Sequence, residues 1–128
     1  MKKLDGILLV NSETQENFLH YRMLKNLNLA KEIFIERNGS TALNFIEKYK
    51  FANNENAPDI IIFELRNQGD LLFLNHILQQ NQLKTYLMIF SLQENLLSDF
   101  PETVFYKSGY IESKDVLNVL QVEETQVA

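Results

Sequence analysis

The chain contains no cysteine and has only four glycines and two histidines among its 128 residues. The lack of cysteine excludes disulfides, thiolate metal sites and cysteine nucleophiles. So few glycines leave no glycine-rich loop after the first predicted strand, which argues against a small-ligand site built on a phosphate cradle. The two histidines, His20 and His76, lie apart on predicted helices, where we expect solvated or core-edge positions rather than metal ligation.

Long apolar runs are also missing. No run approaches the ~20 residues that cross a bilayer, and the apolar content of 45% with 23% charged residues is ordinary for a globular protein. The net charge of −5 is unfavourable for a nucleic-acid groove, which needs a basic stripe. We therefore expect a cytoplasmic protein with no membrane insertion and no nucleic-acid binding.

Strand and helix patterns alternate along the whole chain. The predicted strands cover residues 6–10, 31–37, 58–64, 86–90 and 103–107. Five successive β–α units indicate an α/β fold, a doubly wound parallel sheet with helices on both faces. The leading topology is the flavodoxin-like (βα)5 arrangement, with strand order 2-1-3-4-5. We assign residues 1–122 to a single domain and residues 123–128 to a frayed C-terminal tail.

The sequence predicts the core-facing side of the first helix and the N-cap of the second. The first is expected to end near Leu27 and to turn Phe18, Tyr21 and Leu24 toward the core, because these residues recur near helical spacing. Ser40 is expected to cap the second helix with its hydroxyl group.

The segment between the fourth and fifth strands is short. Residues 92–99 provide at most two helical turns before Pro101, which cannot continue a helix. We therefore predict a shortened fourth helix. The last helix is expected to begin near Ser113.

The third predicted strand, residues 58–64, reads Pro-Asp-Ile-Ile-Ile-Phe-Glu. An uninterrupted apolar run suits a strand that is covered on both faces, as in a parallel sheet. Its last residue, Glu64, falls at the carboxyl end, where open α/β sheets place functional sites. Strands 1 and 3 are neighbours in the predicted order, so the residues that follow Val10 are expected at the same edge as Glu64.

Three ordered segments carry a resemblance to a known family. Residues 7–12 form an apolar strand followed by polar residues, residues 38–43 read Asn-Gly-Ser-Thr-Ala-Leu, and residues 58–64 complete the set. Together they resemble the CheY-like receiver domains of response regulators in bacterial two-component systems. The resemblance covers nearly the whole chain and implies the same flavodoxin-like fold.

The resemblance also implies a phosphorylation site, which is degenerate in this sequence. In receivers an aspartate at the end of strand 3 accepts phosphate, and this chain has Glu64 there. Receivers hold magnesium with one or two carboxylates directly after strand 1. This chain has Asn11 and Ser12 at those positions, with Glu13 one residue later. We therefore expect Mg2+ binding to be weak or absent, and we expect no other cofactor.

Two interpretations of Glu64 remain open. Its extra methylene moves the carboxylate by roughly an ångström, a misplacement that costs on the order of a hundredfold in rate. Glutamate also approximates the length of a phosphorylated aspartate, so Glu64 is either a phosphomimic or a strand-end carboxylate paired with a nearby cation.

Two further positions of the family site are altered. The receiver hydroxyl that follows strand 4 aligns with Phe90, with Ser91 next, so the hydroxyl has either slipped by one residue or been lost. The receiver lysine after strand 5 is best matched by Lys107, and an alternative register places Ser113 there. An ammonium group at Lys107 is expected to pair with Glu64.

The resemblance thus implies an atypical stand-alone receiver that acts mainly by protein–protein interaction in two-component or phosphorelay signalling, and not as an enzyme. Its partners would be signalling proteins such as a histidine kinase, a phosphotransfer protein or an effector. The alternative is a phosphorylatable receiver that binds Mg2+ through Glu13 and a nearby carboxylate such as Asp59 or Asp70.

Overall fold

A computed structural model describes residues 3–79, 85–93 and 104–127, with side chains described through residue 120. Its strands form one five-stranded sheet in the order β2-β1-β3-β4-β5, and every neighbouring pair is parallel. The predicted flavodoxin-like order is therefore confirmed. The strands are β1 (Leu4–Val10), β2 (Ala30–Glu36), β3 (Ile60–Glu64), β4 (Tyr86–Ser91) and β5 (Phe105–Ser108).

Four helices lie within the described ranges: α1 (Thr14–Leu27), α2 (Gly39–Ala52), α3 (Gln68–Gln79) and α4 (Ser113–Val127). Most of the segment predicted as a shortened fourth helix, residues 94–99, lies outside the described residues. Helix α4 extends through Val127, and the assignment of residues 123–128 to a frayed tail stays a prediction. None of the helices in the described ranges combines the length and apolar character needed to cross a membrane.

Both faces of the central strands are buried, as the apolar run of β3 predicts. Side chains alternate between the two faces along each strand. One face packs against α2 and α3, and its fully buried strand residues include Leu8, Ile61 and Ile89. The opposite face packs against α1 and α4, and its fully buried strand residues include Ile7, Ile60 and Met88. The sheet is thus a rigid support for whatever follows the strand ends.

The inward face of α1 differs from the prediction at one position. Leu24 is buried and Tyr21 packs against the core, as predicted, but Phe18 is 57% exposed, whereas Asn17 and His20 are buried. The helix is rotated because Asn17 Nδ2 donates to the carbonyl oxygen of Asn11 at 2.6 Å and the His20 ring packs edge-on against Phe90 at 5.2 Å. Polar contacts, which a hydrophobic periodicity does not register, therefore set the orientation of this helix.

The cap of α2 also differs from the prediction. Asn38, rather than Ser40, is the N-cap, and its Oδ1 accepts from the backbone N–H of Thr41 at 3.0 Å. The glycine that follows has a packing role, because a Cβ at Gly39 would lie 2.5 Å from Cγ of Phe73 on α3. The Asn-Gly pair thus begins α2 and lets it approach α3 closely.

Candidate functional site

The ends of four strands meet at one edge of the sheet and place four side chains at one level. Asn11 follows the last residue of β1, which runs beside β3 and its last residue, Glu64. In the parallel register Glu64 pairs with Phe90 of β4, and Phe90 pairs with Lys107 of β5. The sheet therefore places three of the six predicted site residues, Asn11, Glu64 and Lys107, at one edge.

The central feature of this edge is a buried ion pair between Glu64 and Arg66. The Glu64 side chain is only 2% exposed, and Nε of Arg66 contacts its Oε1. Neither Glu64 oxygen accepts a hydrogen bond from any donor in the described part of the chain. The contact is thus an ion pair without hydrogen-bond alignment, which matches the interpretation of Glu64 as a strand-end carboxylate beside a cation.

The same guanidinium reaches two other elements. Nη2 of Arg66 donates to Oε2 of Glu16, in the first turn of α1, at 3.1 Å, and to Oδ1 of Asn11 at 3.2 Å. Because a guanidinium is planar and carries five donors, one side chain can bridge several acceptors. Arg66 therefore ties the end of β1, the start of α1 and the end of β3 together.

Asn11 is buried and uses both polar atoms of its side chain in this network. Its Nδ2 donates to Oε1 of Glu16 at 3.0 Å, and its Oδ1 accepts from the backbone N–H of Glu13 at 2.9 Å as well as from Arg66. Its carbonyl oxygen accepts from Asn17. An aspartate could not make the donor contact to Glu16, so the amide at this position suits the arginine network rather than a cluster of carboxylates.

The loop after β3 holds Arg66 in position. The carboxylate of Asp70 accepts from the backbone N–H groups of Arg66 at 2.7 Å and Asn67 at 3.2 Å, and Asn67 Oδ1 accepts from the N–H of Asp70. The N–H of Leu65 continues the sheet by donating to the carbonyl of Phe90. The backbone of the two residues that follow Glu64 is thus held by hydrogen bonds, from Leu65 to β4 and from Arg66 to Asp70.

The pKa values of the two carboxyl groups beside Arg66 are shifted in opposite directions. Burial raises the pKa of Glu64 to about 8, the hydrogen bond with Glu16 adds to the increase, and the Arg66 charge opposes it. Burial also raises the pKa of Glu16, but hydrogen bonds with Glu64 and Asn11 and the charge of Arg66 outweigh it, so that the pKa is lowered. A hydrogen bond between the two carboxyl groups requires a proton, and the higher pKa of Glu64 makes it the group that takes up this proton first as the pH falls.

The predicted hydroxyl does not enter this network. Phe90 occupies the strand position beside Glu64, as the alignment indicated. Ser91 is fully buried; its Oγ donates to the carbonyl of Leu65 at 2.7 Å and accepts from the N–H of Gln93 at 3.0 Å. Strand alternation turns Ser91 to the sheet face opposite to that of Phe90. The Ser91 hydroxyl therefore makes hydrogen bonds to backbone groups and not to the side chains of the Arg66 network.

The expected pairing of Lys107 with Glu64 is wrong. Nζ of Lys107 instead contacts Oε1 of Glu112 at 2.8 Å and Oδ2 of Asp115 at 2.9 Å. These acids flank the start of α4, directly after β5, and Asp115 also accepts from the N–H of Glu112. The charge of Lys107 is thus balanced by two neighbouring acids, whereas the cation beside Glu64 is Arg66. Ser113, the alternative match, is the first residue of α4.

Ser12 and Glu13 lie outside the network with their side chains exposed. The carbonyl of Ser12 accepts from Nη2 of Arg37 at 3.0 Å, and Glu13 is the N-cap of α1 without a side-chain capping bond. Of the six predicted site residues, Asn11 and Glu64 are the two whose side chains contact Arg66 in the described part of the chain.

The residues present do not fit a magnesium site. No group of three histidine, aspartate or glutamate side chains within the described ranges is arranged to hold a metal ion. The oxygens of Asn11, Glu16 and Glu64 face the guanidinium of Arg66, whose positive charge repels a divalent cation.

The carboxylates of the phosphorylatable alternative are engaged elsewhere. Asp59 lies at the opposite end of β3, where its Oδ2 accepts from the N–H groups of Asp5 at 2.7 Å and Gly6 at 3.1 Å. Asp70 accepts the loop N–H groups described above. Asp59 is therefore too far from the carboxyl edge of the sheet to join Glu13 around an ion, and Asp70 is engaged by the loop backbone.

A groove of about 840 Å3 borders the network on the outside of the molecule. We call it the α1–α4 groove; it lies between α1 and residues 110–114, and its lining includes Glu16, Leu19, His20, Met23 and Tyr110. Leu19 is 62% exposed and Tyr110 46% exposed. Because Glu16 belongs to both the groove and the Arg66 network, the two features share a side chain.

Sequence reasoning missed Glu16 and Arg66. The available signal was an arginine two residues after a strand-end acid, a separation short enough for the side chain to turn back. The sequence does not show where a loop side chain points, however, so this signal could not distinguish an Arg66 that contacts Glu64 from an Arg66 that is exposed to solvent.

The chain matches no protein-family model, and no curated protein matches it. Its structure is similar to that of a two-component response regulator from Cytophaga hutchinsonii, with a TM-score of 0.80, 19% identity, and coverage of 97% of this chain and 99% of that chain. It is also similar to a CheY-like receiver domain from Methylobacillus flagellatus (TM-score 0.68, 17% identity, 94% of this chain and 98% of that chain). A third similar structure is an aspartate-to-glutamate mutant of the receiver domain of the histidine kinase CKI1 from Arabidopsis thaliana (TM-score 0.64, 12% identity, 94% and 89%). The chain thus has the fold of response regulator receiver domains.

Proposed function

We propose that this protein is a receiver-type module of two-component or phosphorelay signalling that binds protein partners without being phosphorylated. The similarity of fold supports the signalling class. The observation that carries the rest is the buried ion pair between Arg66 and Glu64, at the position where receivers have their phosphoacceptor. The protein then acts as a non-enzymatic binding module.

The state of Glu64 argues against phosphotransfer. Its side chain is almost fully buried, and burial raises its pKa to about 8, which favours the protonated form. A protonated carboxyl group is a poor nucleophile. Phosphoryl transfer also needs positive charge that neutralises the moving group, and the charge of Arg66 is already used by Glu16 and Glu64.

The contact with Arg66 separates the two interpretations of Glu64. A phosphorylated aspartate carries about two negative charges, whereas Glu64 carries at most one, and the guanidinium of Arg66 lies against it. We therefore assign Glu64 an anchoring role, in which it fixes Arg66 between β3 and α1, rather than the role of a phosphomimic.

The α1–α4 groove is the surface that we assign to partner binding. Two of its large lining side chains are exposed: Leu19 at 62% and Tyr110 at 46%. Large exposed apolar side chains around a concave surface are typical of interaction sites. The partner would be a histidine kinase, a phosphotransfer protein or an effector.

The test is binding of the purified protein to each histidine kinase and phosphotransfer protein encoded in its source genome. Biolayer interferometry would be run with and without acetyl phosphate and Mg2+. We expect at least one partner whose Kd changes by less than about twofold, or ~0.4 kcal/mol, on adding the phosphodonor. Absence of any binding partner would contradict the signalling role. Affinity that depends on the phosphodonor and Mg2+ would favour the phosphorylatable alternative through Glu13.

A further inference from the structure

We infer that the α1–α4 groove takes a partner segment in which an apolar side chain lies beside an arginine or lysine, and that His20 is the hydrogen-bonding group at the base of the groove. The inference rests on the proposed function and deepens it, because it states which chemistry selects the partner at this surface.

The apolar part of the groove lies between α1 and the segment that precedes α4. Leu19 and Met23 line it from α1, and Tyr110 and Ile111 line it from the segment after β5. Residues four apart lie on one face of a helix, so Leu19 and Met23 form one continuous surface. This part of the groove therefore offers contacts to an apolar side chain of the partner.

The α1 rim of the groove carries negative charge. Glu13 and Glu16 both line the groove. The Glu13 side chain is exposed and forms no ion pair with another residue in the described part of the chain. Glu16 contacts the cation Arg66, which it shares with Glu64. The Glu13 carboxylate is therefore available to a cation from outside the molecule.

The α4 rim does not offset this charge. Lys107 contacts both Glu112 and Asp115. The hydrogen bond with Lys107 and, less strongly, the charge of Lys114 lower the pKa of Glu112. Two acids and two lysines thus balance each other at the start of α4, and the net charge of the groove comes from the α1 rim. A segment with a basic side chain is complementary to this rim, and an acidic segment is repelled by it.

His20 is a second, independent sign of a ligand in the groove. It lines the groove, yet the residue is only 6% exposed. Its imidazole packs against the rings of Phe90 and Tyr110, at centroid distances of 5.2 and 6.4 Å, and forms no hydrogen bond within the described ranges. Burial lowers the pKa of His20 and the charge of Glu16 opposes this shift, so the imidazole is mainly neutral at pH 7. A neutral imidazole offers one donor and one acceptor, and a buried polar group left without a partner is costly. A donor of the partner segment would satisfy the acceptor nitrogen.

The experiment compares two synthetic amphipathic peptides that share a leucine face and carry either arginine or glutamate on the other face. Fluorescence anisotropy of the labelled peptides with the full chain at pH 7 gives each Kd. We expect the arginine peptide to bind at least about tenfold more tightly than the glutamate peptide. Its Kd should rise with NaCl, because salt screens exposed charges.

Three variants locate the binding site. Glu13→Gln should weaken binding of the arginine peptide at least about threefold and reduce its dependence on NaCl. Glu47→Gln, the matched control, removes an exposed charge from α2 on the other face of the sheet and should change Kd less than about twofold. His20→Phe retains the ring but removes its nitrogens, so it should weaken binding at least about threefold without changing the dependence on NaCl. Circular dichroism checks the fold; if His20→Phe does not fold, the two peptides and Glu13→Gln decide.

Other results overturn the inference. These are equal affinity for the two peptides, tighter binding of the glutamate peptide, or equal effects of Glu13→Gln and Glu47→Gln. A wild-type dimer that Leu19→Asp dissociates in sedimentation velocity would also overturn it, because a second copy would then occupy the groove. Failure of every histidine kinase and phosphotransfer protein to bind would overturn the proposed function. A bound partner without a preference between the peptides would overturn this inference alone, so the two failures are distinguishable.

Discussion

Arg66 lies two residues beyond Glu64 and turns back so that its guanidinium contacts the buried carboxyl group of that residue. The Arg66 side chain can turn back because Asp70 accepts a hydrogen bond from the backbone N–H of Arg66. Asn11 and Glu16 accept hydrogen bonds from Nη2 of the same guanidinium. A side chain thus supplies the positive charge at the carboxyl edge of the sheet. The consequences for protonation, stability and partner binding are open to measurement.

The first prediction concerns Glu64→Gln. The pKa of Glu64 is raised from 4.5 to about 8 on folding, so the folded state binds more protons than the unfolded state between these values. The resulting stability is fully present below pH 4.5 and is lost as the pH rises through about 8. Between about pH 5 and 9 the wild type should therefore lose at least ~1 kcal/mol of unfolding free energy relative to the variant.

Urea unfolding at constant ionic strength across this pH range measures the difference. The amide of glutamine retains the shape of Glu64 but does not titrate, so parallel pH profiles for the two proteins would show that Glu64 is not a buried acid.

The second prediction separates Arg66 from Lys107. The charge of Arg66 lowers the pKa of Glu64 against the effect of burial, so Arg66→Met should raise this pKa further. Lys107→Met should leave it unchanged, because that lysine contacts Glu112 and Asp115 instead. Titration of the Glu64 carboxyl carbon by NMR measures both variants. An equal shift in Lys107→Met would mean that the lysine does act on the pocket.

The fold was predictable from sequence because it depends on burial. The run from Ile60 to Phe63 requires cover on both faces, and five alternating units leave few topologies. The position of Glu64 at the carboxyl edge followed from the strand itself, and that prediction is confirmed.

Which side chains meet at the site was less predictable, because that depends on the directions in which polar side chains point. A lysine and an arginine were both candidates to neutralise Glu64, and local geometry decided between them. Lys107 has two acids at the start of the next helix, whereas Arg66 is directed by Asp70. The rotation of α1 had the same origin, since the contact from Asn17 to Asn11 turned Phe18 outward.

The third prediction tests the start of α2. Asn38 accepts from the N–H of Thr41 as the N-cap, whereas Ser40 lies within the helix and is exposed. Asn38→Ala should reduce the unfolding free energy by about 1 kcal/mol. Ser40→Ala should change it by less than ~0.5 kcal/mol. Chemical denaturation of both variants provides the comparison, and a larger effect of Ser40→Ala would assign the cap to the serine.

The fourth prediction concerns the α1–α4 groove. Leu19 is 62% exposed at the groove, and Leu72 on α3 is 73% exposed away from it. Leu19→Asp should weaken binding of the partner found by interferometry at least about tenfold, while Leu72→Asp should change Kd less than about twofold. Circular dichroism confirms that both variants are folded. If Leu72→Asp abolishes binding and Leu19→Asp does not, the partner uses the α3 side.

The central claim is that the Arg66–Glu64 pair replaces phosphorylation at this site. Intact-protein mass spectrometry after incubation with acetyl phosphate and MgCl2, beside an ordinary receiver domain as positive control, tests it most directly. We predict a phosphoryl adduct on the control and none on this protein. A magnesium-dependent adduct on this protein, located on Glu64 or on any neighbouring carboxylate by peptide mapping, would contradict the claim.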